Sequence, residues 1–308
     1  MEGADTQFRS VTAWRLYDPA DARMQRLTQV SRRNHTMGLR INTNIAAINT
    51  SRILRRSTVD LNKTLERLSS GLRINRAADD AAGLAIAEGF RSVVRGSQVA
   101  QRNAQDGVSL VQTTEGALAE ASNILQRIRE LAVQAANGTN STINRASLDS
   151  EVRQLLGQID DIAVDTEFNG LRVLSSAQTV TLQAGPQPGQ TLVITVQGAK
   201  TNDLSISNVS VSTMALATTA ISTIDVALQS VSVLRSNLGA LQNRLEFTIN
   251  TLAIQEENSS SSESVIRDAD IAAETVRFTR NQILVSAGTS VLAQANVIPQ
   301  TALQLLGQ

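Results

Sequence analysis

The chain has 308 residues, with 28 Lys+Arg against 28 Asp+Glu and a formal net charge of zero; aromatic residues make up 2% and Cys is absent. Disulfides and thiolate metal sites are therefore excluded, and there is no basic footprint for nucleic acid. A chain so poor in aromatics suits long helices with thin seams better than one thick core.

Residues 1–36 differ from the rest. They hold the only Trp (Trp14), the only Tyr (Tyr17), the only His (His35) and two of the four Met, and their Arg residues follow no helical spacing. Patterned sequence begins at Met37, so 1–36 is expected to be a non-native or disordered extension. No stretch here pairs a basic start with an apolar core of about 7–15 residues, and no apolar run approaches the ~20 residues of a membrane span. A cleaved signal peptide and a membrane anchor are not expected.

Ile41, Ile45 and Ile48, then Leu61, Leu65, Leu68 and Leu72, form an amphipathic stretch with a phase slip between them. From 97 to 135, Ala104, Val108, Val111, Leu118, Leu125, Ile128, Ala132 and Ala135 recur at helical spacing, and Asn137-Gly138 supplies a stop. Leu148, Val152, Leu155, Ile159 and Ile162 predict a second helix over 145–163. Asn169-Gly170 reads as a turn, and the β-branched runs 179–183, 191–197 and 204–211 as short strands.

Ala220, Ile224, Ala227, Val231, Leu234, Leu238, Leu241, Leu245, Thr248 and Leu252 step alternately by four and three. That spacing is a coiled-coil seam, roughly 50 Å long at about 1.5 Å per residue. Ser259–Ser262 is expected to interrupt the helix. Leu284, Gly288, Val291, Ala295, Ile298, Ala302 and Leu305 repeat the pattern at the C-terminus with large and small residues in turn. Pro299 is expected to kink or restart that helix. The fold class is thus mainly α: a long antiparallel helical bundle or coiled coil formed by the N- and C-terminal halves, with a small β-hairpin region in the middle. The few apolar anchors of the two ends do not offset the entropy of ordering them alone, so both ends are expected to fold only when other chains cover them.

Catalytic parts are lacking. With His35 as sole histidine and no Cys, neither a Ser-His-Asp triad nor a Cys-His pair can be built, and no phosphate or dinucleotide fingerprint occurs. No cofactor or metal is implied. Asp79-Asp80 and Asp160-Asp161 read as solvated helix-face charge, Asp268 and Asp270 as groups at the start of the last helix. Arg127, Arg129 and Glu130 read as an exposed face of intrahelical charges. A carboxylate-based enzyme is the rival from another class, and nothing in the sequence calls for it.

The motifs carry a resemblance. Leu68-Ser69-Ser70-Gly71-Leu72-Arg73-Ile74-Asn75 followed by Asp79-Asp80-Ala81-Ala82-Gly83 resembles the N-terminal signature of bacterial flagellin. Residues 112–118, 125–134 and Phe168-Asn169-Gly170 resemble further segments of that family, and 266–270 with 281–296 its C-terminal signature. The resemblance covers about 37–308 and implies a short flagellin without large outer domains. It implies a structural subunit that polymerises with itself into the extracellular flagellar filament and gives motility, not an enzyme. A hook–filament junction protein of the same superfamily is the nearer alternative.

The resemblance divides the chain into a terminal coiled-coil domain (37–80 with 265–308), the inner core of the filament, and a helical rod (81–264) with hairpins at about 168–211. It implies export in the unfolded state by the flagellar type III apparatus without a cleaved signal peptide. A secretion chaperone is expected on about 270–308, along with filament cap and hook-associated proteins, and no nucleic-acid or membrane partner. Ile41, Ile45, Ile48, Leu61, Leu65, Leu68, Leu284, Val291, Ala295, Ile298 and Leu305 are the expected polymerisation seam. Arg127, Leu131, Gln134 and Glu151 match the family's surface for subunit packing and for recognition by host Toll-like receptor 5.

Overall fold

A computed structural model describes residues 43–306. The expected extension 1–36 and Ile41 lie outside the described residues, and so does the side chain of Leu305. Among the described residues five helices and four short strands follow in order: α1 (Ile45–Ser70), α2 (Ala81–Ala136), α3 (Thr142–Asp165), β1 (Glu167–Phe168), β2 (Leu171–Arg172), β3 (Gln178–Gln183), β4 (Thr191–Val196), α4 (Met214–Arg267) and α5 (Ile271–Leu306). They fall into two compact units: Thr64–Thr275, and the segments up to Lys63 and from Val276 onward.

In the larger unit α2 and α4 run antiparallel. The buried face of α2 passes through Ser97, Ala100, Ala104, Gly107, Val111, Thr114, Leu118, Ala121, Leu125, Ile128, Ala132 and Ala135, stepping three and four throughout. On α4 the matching line is Ala217, Ala220, Ile224, Ala227, Val231, Leu238, Leu245, Leu252 and Ser259. Two heptad lines of this kind bury each other along their whole length. Gly107 of α2 lies against Leu245 of α4, where an added Cβ would stand 3.3 Å from a Leu245 methyl. By composition α4 is long and apolar enough to cross a membrane, but its heptad side chains are engaged with α2.

The ends of these helices are set by side chains. Asp80 caps α2, accepting from the Gly83 amide at 2.8 Å. At the other end Arg145 donates to the carbonyls of Ala135 (2.9 Å) and Asn137 (3.1 Å), placing a cation on the negative end of α2. Asn137 is the C-cap, so the helix stops at Asn137-Gly138 as expected, with Asn137 in extended backbone (φ −69, ψ 129). Thr213 caps α4. No interruption occurs at Ser259–Ser262: α4 continues to Arg267, because Ser259 occupies the next heptad position and remains buried. Likewise α5 contains Pro299 and continues to Leu306 without restarting.

A third layer covers the α2–α4 pair. Helix α3 packs Val152, Leu156, Ile159 and Ala163 into the core. Strands β1 and β2 pair around Asn169 and Gly170, both at positive φ, the two-residue hairpin geometry that Asn-Gly favours. Strands β3 and β4 form an antiparallel hairpin that buries Leu192, Ile194 and Val196. Leu182 reaches the Gly107 backbone, where a Cβ would collide with it. The run 204–211 is not a strand. Its amides close local turns, as in Leu204 to Lys200 and Val209 to Ile206, with Ser205 at φ 58. Leu204, Ile206 and Val211 are buried there as separate anchors.

The smaller unit pairs the first part of α1 with the last part of α5. Asn44 caps α1 by accepting from the Ala47 amide and donates to the Ala295 carbonyl at 2.7 Å. Leu54 lies against Gly288, where an added Cβ would stand 3.2 Å from its Cδ1. Ser57 and Ala295 are buried along the same line.

Candidate subunit-packing and recognition surfaces

The signature segment 68–83 builds a corner within the larger unit. Gly71 turns the chain at φ 71 and donates to the Arg67 carbonyl. Leu72 then pairs with Asp268, so the break after α1 is bonded to the break after α4. Arg73 donates its amide to the Arg267 carbonyl (2.6 Å), Ala269 donates to Gly71 (2.9 Å), and the Arg73 guanidinium donates to the Ile266 carbonyl. Ile74 is buried under this corner, and Gly83 must lack a side chain because a Cβ would stand 2.8 Å from Ile74 Cδ1.

Charged pairs lock the corner. Arg67 meets the buried Glu274 at 3.7 Å, and Arg267 meets Glu88 at 3.2 Å and Glu263 at 3.7 Å. Asp270 accepts from the Ala273 amide at the start of α5. Asp79 and Asp80 are not simply solvated charge: Asp80 is a cap, and Asp79 accepts from the amides of Asn75 and Arg76.

The charges on α2 do more than decorate one helix. Arg127 bonds Glu130 on its own helix at 3.2 Å and Glu151 on α3 at 3.0 Å. These bonds, that to Glu151 foremost, hold the guanidinium pKa above its ordinary value. Arg129 reaches across to Asp225 on α4 at 2.7 Å, which raises its pKa in the same way. Gln134 is exposed nearby. Leu131 differs from the other three residues expected to form the recognition surface. It is 1% exposed and belongs to the core, so it supports this surface from beneath.

The expected polymerisation seam divides in two. Ala295 is buried, and Leu61 and Leu68 are half-buried. Ile45, Ile48, Leu65, Leu284, Val291 and Ile298 are exposed. On α5 the inward line is Val285, Gly288, Leu292, Ala295 and Pro299, all at least partly covered. Leu284, Val291 and Ile298 precede it by one residue, about 100° around the helix. With Val276, Ile283 and Val297 they form a second apolar stripe that faces solvent in the single chain.

Two carboxylates on α3 carry structure that the sequence does not announce. Asp160 accepts from both the amide (2.8 Å) and hydroxyl of Thr201. Asp149, almost buried, accepts from the Ser210 hydroxyl (2.7 Å), the Val211 amide (2.8 Å) and Arg153 (2.8 Å). Burial alone would raise the Asp149 pKa, but these bonds outweigh it and hold the carboxyl below its ordinary range. Partners this distant in sequence leave no local signal. Among the described residues no group of three or more His, Cys, Asp and Glu side chains is placed to hold a metal ion.

Comparison with known proteins agrees along the chain. Residues 41–179 match the family model of the bacterial flagellin N-terminal helical region, and 221–306 that of the bacterial flagellin C-terminal helical region. Flagellin from Halalkalibacterium halodurans is 46% identical over 269 residues, covering 86% of this chain and 99% of that protein. Flagellin from Bacillus subtilis is 42% identical over 303 residues, covering 87% and 100%. The crystal structure of Bacillus cereus flagellin is 36% identical and covers 49% of this chain and 88% of that one, with a TM-score of 0.43.

Proposed function

The chain belongs to the bacterial flagellin family, a family of structural proteins, and we propose that its uncovered apolar stripes are the surfaces through which it polymerises. It is a structural subunit of the extracellular flagellar filament. The observation that carries the proposal is the second stripe on α5. Val276, Ile283, Leu284, Val291, Val297 and Ile298 are exposed beside a seam that is already filled. Isolated apolar residues on a surface need no explanation, but a continuous line at heptad spacing marks a missing partner helix. Ile45, Ile48 and Leu65 extend the apolar surface on α1. In this reading 37–80 with 265–308 form the inner core of the filament and 81–264 the surrounding rod.

Export and handling follow from the same stripes. The chain passes unfolded through the flagellar type III apparatus without a cleaved signal peptide, and a secretion chaperone covers about 270–308 until it does. The absence of Cys suits such a passage, since no cross-link has to form or break. Filament cap and hook-associated proteins meet the terminal helices at the growing and anchored ends. Host Toll-like receptor 5 reads Arg127, Gln134 and Glu151 on the free subunit, with Leu131 holding the helix beneath them. The support for that surface is its exposed, hydrogen-bonded charge group on two helices.

Electron microscopy of the purified protein after salting-out tests the main reading: long helical filaments are expected, and a protein that stays monomeric under all such conditions refutes it. For the receptor, clean monomer is expected to signal and Arg127→Ala to signal less, at unchanged melting temperature. A flat dose response from folded monomer refutes that assignment.

A further inference from the structure

The two ends of the third layer of the larger unit are formed by α3 and by the β3–β4 hairpin. Helix α3 begins beside the C-terminus of α2, where Arg145 bonds Ala135 and Asn137. The β3–β4 hairpin covers the other half of the same pair. Its base lies at Leu118 and Leu238, beside Thr195 and Val196. Its strands pass Gly107 and Asn103, the latter donating to the Gln183 carbonyl at 3.1 Å, and its turn rests Pro186 on Gly96. The layer therefore has two free ends.

Each end leaves large apolar groups uncovered. At the hairpin end a cavity of about 400 Å³ lies between the turn and α4, lined among others by Pro186, Leu192, Phe247, Thr251 and Leu252. Phe247 forms its rim and is 72% exposed. At the α3 end Ile143 stands in the first helical turn and is 78% exposed. The cavity is level with Asn103 and Ile143 with Asn137, so roughly 50 Å of α2 separates them at about 1.5 Å per residue. They cannot meet within one chain.

We propose that Ile143 of one subunit inserts into the Pro186–Leu192–Phe247 cavity of a second copy, stacked along the direction of α2. The inference rests on the filament reading and names one contact within it. A hollow at one end and a knob at the other make a heterologous contact, which repeats into an open filament instead of closing into a dimer. The third layer then continues from subunit to subunit, hairpin turn against α3. Phe247 and Ile143, among the most exposed apolar side chains of the described residues, both become covered.

The chain is naturally free of Cys, which makes the contact directly testable. The full chain carrying Ile143→Cys and Phe247→Cys is mixed into filaments of unsubstituted chain and treated with a short bis-maleimide. Crosslinked pairs and longer ladders are expected from filaments and not from dilute monomer, with none from either single variant. Hydrogen exchange on the unsubstituted chain is the independent reading: amides of 141–145 and 184–192 are expected to slow on assembly. Ile143→Asp should raise the critical concentration about tenfold, equivalent to about 1.4 kcal/mol, without moving the monomer melting temperature. Filaments that show neither crosslinks nor added protection at these segments overturn the contact and leave the filament reading standing. Failure of the unsubstituted chain to polymerise overturns the filament reading itself.

Discussion

The two units use the same heptad spacing for opposite ends. In the larger unit α2 and α4 fill each other's seam with Leu118, Leu125, Ile128, Ile224, Leu238 and Leu245, all buried, and α3 and the hairpin cover what remains. In the smaller unit α1 and α5 share one seam built of small residues, with Gly288 under Leu54 and Ser57 and Ala295 alongside. A further stripe of large residues then faces outward on α5. Completeness within one chain makes the first unit a folding unit. On the proposed assembly, incompleteness makes the second a surface for other chains, since helix stability comes mostly from packing an amphipathic face.

The strongest test of this contrast is removal of 284–308. Filament formation should be abolished, while circular dichroism and melting of the larger unit persist, because no residue of Thr64–Thr275 is lost. A deleted chain that still polymerises would mean the stripe on α5 is not needed. Next in size is a pair of leucines. Leu118→Ala should cost about 2–5 kcal/mol in denaturant unfolding of the monomer, since it truncates a fully buried side chain. Leu284→Ala should change monomer stability by no more than about 0.5 kcal/mol yet raise the critical concentration for assembly. Equal effects on the monomer would erase the distinction between the units.

How far the sequence reveals this depends on the range of the interaction. The seams over 97–135 and 220–252 were legible because heptad spacing is local and both lines are continuous. So were the position of the Asn137-Gly138 stop and the Asn169-Gly170 turn, the latter's chemistry contained in two residues. On α5 the spacing alone could not choose between Leu284–Gly288–Val291–Ala295–Ile298 and Val285–Gly288–Leu292–Ala295–Pro299, since both step by three and four and share Gly288 and Ala295. Only the cover over Val285 and Leu292, against the exposure of Leu284 and Val291, reveals which line turns inward. In 204–211 alternating apolar residues imitated a strand, but the backbone bonds go to local turns. Ser259–Ser262 looked like a break because Ser is common in linkers, whereas the helical phase runs through it. Leu131 shares a motif with exposed residues, but its spacing with Leu125, Ile128 and Ala135 assigns it to the core. The roles of Asp149 and Asp160 depend on partners across the fold, and no local pattern encodes them.

Of those carboxylates, Asp149 gives a smaller effect than Leu118 and the sharpest sign. Asp149→Ala removes the acceptor of the buried Val211 amide, and leaving a buried donor unsatisfied costs about 1–3 kcal/mol. The folded carboxyl titrates below the ordinary range, near 3.9 for Asp in an unfolded chain. The unfolded state therefore binds the proton more readily, and protonation favours unfolding. The contribution is fully present above the unfolded value and is lost as pH falls through the lower, folded one. The stability difference between unsubstituted chain and Asp149→Ala should thus be constant from neutral pH down to about pH 5 and narrow below pH ~4. A difference that widens with acid would mean that burial, and not the bonds from Ser210, Val211 and Arg153, governs this carboxylate. Because these bonds lie wholly inside the larger unit, the same substitution should leave assembly at neutral pH unchanged, which separates the interior of the complete unit from the outward surface of the incomplete one.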